Sequence, residues 1–257
     1  MGNASINCIE VFEDFDYDTI GTAAGDGIRW VNSSDGGDTA FAQNAGIEGG
    51  EGTARGATAA TNNNLIELAH NSLMWLPSND CFMEVRLQLD VVANAALNVG
   101  FNDDALEDSN TLPVELSTVT FTSNATTFAG FVYDVNATND DFHVFWVDDD
   151  TDTTSAIADL RFNGAAPVAA RYGLYQVQLY RGSSATALCT GEFTVWPDDL
   201  SPRHFQKRSG LGGLQSTVVD GDAALTPYVG VEARSASAHQ CDIDYILVRQ
   251  NRRGQEA

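Results

Sequence analysis

The side chains with the most obvious capacity for chemistry are acidic. From Phe131 to Asp152 the chain reads FVYDVNATNDDFHVFWVDDDTD, and Asp148, Asp150, Asp152 and Asp159 fall at the offsets of positions 1, 3, 5 and 12 of a calcium loop. Position 6 of an EF-hand needs glycine for its sharp turn. Here that position is Thr153, and no flanking helices are evident, so an EF-hand is excluded. Asp148, Asp150 and Asp152 remain as weak candidates for a simpler calcium site. The competing reading, which the spacing favours, is two solvated acidic turns at the ends of one strand.

The other catalytic patterns fail in the same way. A jelly-roll glycosidase needs two carboxyl groups across one cleft, about 5–5.5 Å apart in a retaining enzyme. The best approximation, Glu84 to Asp90, puts Arg86 where a central carboxylate is required. There is no Gly-x-Ser-x-Gly elbow and no phosphate loop, and His70, His143, His204 and His239 are scattered. Cys8, Cys81, Cys189 and Cys241 form no Cys-x-x-Cys pair, which argues against zinc and favours buried free thiols. The sequence thus predicts no catalytic residue and no cofactor.

Two features point to binding. Among Trp30, Trp75, Trp146 and Trp196, the last precedes Pro-Asp-Asp in an irregular stretch and is the one placed to stack on a sugar ring; Trp146 reads as core. Arg203, His204, Lys207 and Arg208 form the one dense basic cluster, and Arg249, Arg252 and Arg253 lie in the terminal run RQNRR. On so acidic a chain these cations suit an acidic partner, a second copy of the chain included, through bidentate arginine–carboxylate pairs.

The elements that must position these residues have the strand period. Met83, Val85, Leu87 and Leu89 alternate with Glu84, Arg86, Gln88 and Asp90; Tyr175, Val177 and Leu179 alternate with Gln176, Gln178 and Tyr180; Cys241, Ile243, Tyr245 and Leu247 follow suit. Further strands are predicted near 6–12, 27–32, 64–69, 95–102, 128–134, 142–147, 187–195 and 227–234. The strand at 142–147 is apolar on both faces. Helix is hard to place beyond a short turn at 104–108. So many strands with one apolar face must pack face to face, which predicts a single antiparallel β-sandwich over 1–257. Its irregular parts are an N-terminal arm (about 1–18), a glycine- and alanine-rich loop with one edge strand (36–61), an insertion (about 196–213) and a basic tail (about 249–257).

Composition narrows the partners. Thirty-six Asp and Glu against thirteen Lys and Arg give a net charge of −23. Such a surface repels phosphate backbones and anionic headgroups, so neither nucleic acid nor membrane is expected. No run reaches the roughly 20 apolar residues that span a bilayer. The first residues, MGNASINCIEVFEDFDYD, have neither the cationic nor the apolar region of a secretory signal.

Four runs in order, LNVGFNDDALEDSNTLPVE, FTSNATTFAGFVYD, GAAPVAARYGLYQVQL and LTPYVGVEARSASAHQCDIDYILVRQNRR, resemble virion structural proteins of tailed bacteriophages with a concanavalin A-like, laminin-G-like jelly roll. The resemblance spans roughly 80–250 and departs between Gly182 and Leu225, where a short asparagine-glycine hairpin is expected and WPDDLSPRHFQKRSGLGG stands instead. It implies a non-enzymatic capsid decoration or cement protein, assembled in the host cytoplasm and bound to the major capsid protein. It also implies a homo-oligomer, for which lattice symmetry suggests a trimer. The alternative is a carbohydrate-binding module of the same fold on the head or a tail fibre.

Overall fold

A computed structural model describes residues 8–16, 20–21, 29–45, 52–107, 111–153, 160–162, 164–198, 214–215 and 218–252. In chain order the strands are β1 (Cys8–Glu13), β2 (Ile20–Gly21), β3 (Trp30–Ser34), β4 (Thr39–Ala45), β5 (Gly52–Ala57), β6 (Leu65–His70), β7 (Phe82–Leu89), β8 (Ala95–Asn102) and β9 (Val114–Ser117). There follow β10 (Thr120–Ser123), β11 (Phe128–Asp134), β12 (His143–Asp148), β13 (Thr151–Asp152), β14 (Gly173–Tyr180), β15 (Thr190–Trp196), β16 (Leu214–Gln215), β17 (Thr226–Ala233) and β18 (Gln240–Asn251).

They form two sheets. One runs β16-β15-β14-β7-β18-β5-β4, with β1 also paired to β18; the other runs β13-β12-β11-β8-β17-β6-β3-β2. The chain steps between them, from β5 to β6, β7 and β8 and again from β17 to β18, which is the winding of a jelly roll. The all-β antiparallel sandwich read from the sequence is therefore the fold. Rings bridge the layers: Phe131 on β11 lies 5.8 Å from Tyr175 on β14 and 6.0 Å from Phe193 on β15, edge-on to both. Around them Met83, Val85, Leu87, Leu97, Val99, Val177, Val229 and Ile243 make one apolar core.

The two sheets differ on their outer sides. In β7 and β14 burial alternates residue by residue, whereas β6, β8, β11 and β17 are buried at every position. The reason is a second layer made by the chain itself: residues 103–107 and 111–113 and the β9–β10 hairpin lie over the outer side of the second sheet. Phe121 stacks on Phe145 at 4.3 Å, and Leu112 packs with Leu65 and Ala96. Gly100 and Gly130 face each other in this sheet, and a Cβ on Gly100 would lie 2.3 Å from the Ala129 carbonyl, so only glycine fits there.

Several sequence expectations need correction. Over 104–107 the chain bends at 105–106 and makes no helical turn, because it is drawn over the sheet; the short helical element among the described residues is a 3-10 turn at Pro77–Asn79. The 36–61 stretch gives two strands, β4 and β5, not one. The arm of about 1–18 is irregular only outside the strand also predicted near 6–12, which is present as Cys8–Glu13 and pairs with β18 from Cys8↔Asn251 to Glu13↔Ile246. The expected tail likewise begins inside β18, which runs to Asn251.

Candidate binding face

The outer side of the first sheet carries no covering layer among the described residues, and strand register decides what it displays. Across β15, β14, β7, β18 and β1, the outward rows read Trp196, Leu174, Arg86, Tyr245; then Thr194, Gln176, Glu84, Leu247, Phe12; then Glu192, Gln178, Phe82, Arg249, Glu10. A register shift between Ile243 and Tyr245 swings Asp244 out beside Tyr245.

The polar groups of this face are tied to one another. Arg55 grips Asp242 with two bonds, Nε to Oδ1 at 2.5 Å and Nη2 to Oδ2 at 2.9 Å, and Asp242 also accepts from Gln88 at 3.1 Å. This hydrogen bond to Asp242 raises the Arg55 pKa above its ordinary value. Arg86 bonds Asp244 while its guanidinium lies 4.2 Å from the centre of the Tyr172 ring. Glu84 accepts from the Tyr245 hydroxyl at 2.7 Å and from the Gln176 amide at 2.5 Å. The Tyr180 hydroxyl donates to Glu192 at 3.0 Å, and the rings of Phe12 and Tyr245 sit 5.6 Å apart. Burial, then the bond to Glu84, holds the Tyr245 phenol well above its ordinary pKa, so it stays a donor. The result is a surface of rings and amides on which two arginines are paired with aspartates and Glu84 is held by neutral donors.

The residues singled out by sequence fall in different places. Trp196 and Arg249 share this face, at well-separated positions on β15 and β18. Trp196 ends a strand and is half-buried, a correction to its expected place in an irregular stretch. Arg249 is exposed and lies 4.5 Å over the Phe82 ring; Arg252 is exposed just beyond β18. Arg203, His204, Lys207, Arg208 and Arg253 lie outside the described residues, as does most of the insertion.

The acids of the opening motif make a hairpin turn. Asp148 pairs with Thr151, and Asp149 and Asp150 between them take φ of 48° and 61°, the two positive values of a type I′ turn. Asp148 accepts from the Asp220 amide at 2.8 Å, Asp152 from the Ser123 hydroxyl at 2.5 Å, and Asp150 is exposed. Among the described residues no group of three or more His, Cys, Asp or Glu is gathered to hold an ion.

The strongly shifted carboxyls lie under the covering layer. Burial pushes Glu67 up to about 7, although it accepts from the Glu107 amide at 3.0 Å and the Tyr228 hydroxyl at 2.9 Å. Burial likewise raises Glu232 to about 7. Both are 1% exposed, which suits a structural role rather than contact with substrate. The four cysteines are free, and Cys81, Cys189 and Cys241 are buried.

Sequence reasoning missed Tyr172, Tyr245, Phe12 and the pairing of Arg86 with Asp244. The outward alternation of Glu84, Arg86 and Gln88 was the available signal; the pairings depend on cross-strand register.

No family model and no curated protein matches the chain. Among solved structures it is similar to a protein of unknown function from Shewanella oneidensis MR-1, with 10% identity, 97% of this chain and 89% of that one covered, and a TM-score of 0.48. It is also similar to peanut lectin, with 9% identity over 95% and 97% of the two chains at 0.49. A third similar structure is the VIP36 exoplasmic/lumenal domain in a Ca2+/Man-bound form, with 10% identity over 90% and 86% at 0.47. These likenesses concern architecture, and none bears on a virion role.

Proposed function

We propose that this chain is a non-enzymatic recognition domain that works through the open face of its first sheet. The observation that carries this is the contrast in cover: one sheet is sealed by the protein's own hairpin, while the other presents a ring- and amide-rich surface on which Arg55 and Arg86 are already paired with Asp242 and Asp244. A surface of that kind suits a macromolecular partner, because covering it buries rings and amides together with ion pairs that bring their own counter-ions. The four sequence runs favour a tailed-phage virion as its place, with the major capsid protein as partner and decoration or cementing of the head as its role.

A second reading has its own support. Trp196 and Tyr245 offer rings among amides and carboxylates that Glu84 and Asp242 tie together, an arrangement that suits stacking on sugar rings. The similar structures include lectins and carbohydrate recognition domains, which stand nearer to this reading. One pair of experiments separates the two: co-sedimentation of the purified chain with capsid shells, and a glycan array. Binding to shells alone supports the virion reading, and binding to glycans alone supports the carbohydrate reading. Binding to neither, with the chain folded, contradicts both.

A further inference from the structure

The cover over the second sheet has two parts, held by different chemistry. The β9–β10 hairpin is tied by a cation: Arg234 meets Glu115 on the hairpin at 2.9 Å, and Glu232 and Asp134 on the sheet beneath, both at 2.6 Å. The strap of residues 103–107, Asp-Asp-Ala-Leu-Glu, carries three carboxyl groups and no cation. Its base is fastened at Asp103, whose amide donates to the Thr127 carbonyl and whose carboxylate accepts from the Thr127 amide, both at 3.0 Å. Its far end is fastened at Glu107. There the backbone amide donates to Glu67 at 3.0 Å, and the carboxylate accepts from the Asn102 amide at 2.6 Å.

Glu67 is therefore a catch made of a buried acid. It is 1% exposed on β6, and the oxygen that holds Glu107 also accepts from the Tyr228 hydroxyl of β17 at 2.9 Å. The charged groups that reach it are acids on two elements packed against it: Glu107 on the strap, and Asp35 beyond β3, which has Asp38 for a neighbour. Glu232 lies further along β17 from Tyr228, and there Arg234 answers it. Burial pushes Glu67 and Glu232 alike up to about 7, so what separates them is the arginine, which Glu67 lacks. Beneath the strap Asn102, 0% exposed, has its side-chain carbonyl oxygen without a partner, so closure there is incompletely satisfied.

We propose that the 103–107 strap is a pH-operated latch: with Glu67 protonated it lies closed on the sheet, and with Glu67 ionised its Glu107 end lifts while the hairpin stays in place. The two donors on Glu67 favour its ionised form, but burial outweighs them. Under a closed strap the ionised carboxylate is kept from water and faces like charge from Glu107 and Asp35; lifting the strap hydrates it. Once lifted, the carboxyl has its ordinary value of 4.5, so closure is strongest below about pH 4.5, weakens as pH rises to about 7 and changes little above that. Lifting uncovers Tyr228, Asn102 and Glu67, and the inference holds whichever ligand the open sheet takes.

The test is hydrogen exchange of the full chain between pH 5 and pH 8, resolved to single amides and corrected for intrinsic rates. The Glu107 amide should lose protection about fiftyfold across that range, the factor that a carboxyl moving between about 7 and 4.5 supplies. At pH 8 it should exchange at least about tenfold faster than the Val114 and Leu116 amides of the hairpin, which are held by Asn98 and Asp134. Glu67→Gln, which cannot ionise, should cut the pH response of the Glu107 amide to under about fivefold. A Glu107 amide indifferent to pH, or one that exchanges in step with Val114 and Leu116 at pH 8, would overturn the proposal on the unaltered chain alone. A full pH response that survives Glu67→Gln would overturn it too, and would assign the release to Asp103, which burial and Asp104 raise to about 6.

Discussion

The two outer faces of the sandwich are built from the same kind of strand and put to opposite uses. Over the second sheet the chain spends the β9–β10 hairpin and residues 103–107 and 111–113 on a cover, and it holds that cover with buried polar groups. Arg234, 5% exposed in its side chain, meets Asp134 at 2.6 Å, Glu232 at 2.6 Å and Glu115 on the hairpin at 2.9 Å. Asn98 and Asp134 accept from the Val114 and Leu116 amides at 2.9 and 3.4 Å. Over the first sheet the same chemistry, arginine against carboxylate and phenol against carboxylate, is left half in solvent. Buried pairs lock an element in place and are costly to break; exposed pairs cancel charge while leaving a surface that a partner can cover. The difference therefore separates a structural face from a working one.

The sharpest way to break that distinction is to cut one arginine on each side. Arg234→Ala leaves three carboxylates around a buried vacancy and should cost about 3–5 kcal/mol in urea unfolding. Arg86→Ala, in a pair whose side chains are 30% and 21% exposed, should cost under about 1 kcal/mol. Equal losses would erase the contrast.

Next comes pH. Glu67 and Glu232 titrate at about 7 in the folded protein and near 4.5 in the unfolded chain, so the folded state holds their protons more tightly. Their stabilising effect is full below about pH 4.5 and is lost as pH rises through 7. Stability should fall by on the order of 2 kcal/mol for each group, roughly 5 kcal/mol for the two, from pH 5 to pH 8, and Glu67→Gln, which stays neutral, should shrink the fall by about half. An unchanged fall in that variant would remove Glu67 from the account. A smaller effect is expected at the hairpin: Phe121→Ala loses the stack on Phe145 and should cost about 1–2 kcal/mol, against under about 1 kcal/mol for the exposed Phe12→Ala. Thermal melts of the two variants that coincide would place the hairpin among the dispensable parts. Smallest in stability, and largest in binding, is Trp196→Ala: the melt should move little while affinity for the ligand found by co-sedimentation or array drops at least about tenfold. Undiminished binding would take Trp196 out of the site.

The fold was legible where burial alternates. Met83 to Leu89 and Tyr175 to Tyr180 announce their strands because one face is wet, and the doubly apolar run at 142–147 already hinted at a sheet covered on both sides. The cover itself could not be read, since Asn98 and Asp134 look like surface residues until the β9 amides reach them, and Glu67 does so until the Glu107 amide and the Tyr228 hydroxyl supply its partners. β5 escaped for the opposite reason: GTARGA has small side chains, and its strand is fixed by pairing with β18 rather than by its own pattern. At the binding face, Trp196 and Arg249 could be picked out by type, but Tyr245, Glu84 and Gln176 converge only through the register of three strands.

The most direct test of the central claim is a side-chain-resolution reconstruction of the chain on its bound target. The account predicts that the open sheet meets the partner, with Trp196, Tyr245, Phe12 and Arg249 in the contact and the β9–β10 hairpin turned to solvent. A contact made by the hairpin or by the acidic turn at Asp148–Asp150, with the open sheet bare, would contradict it.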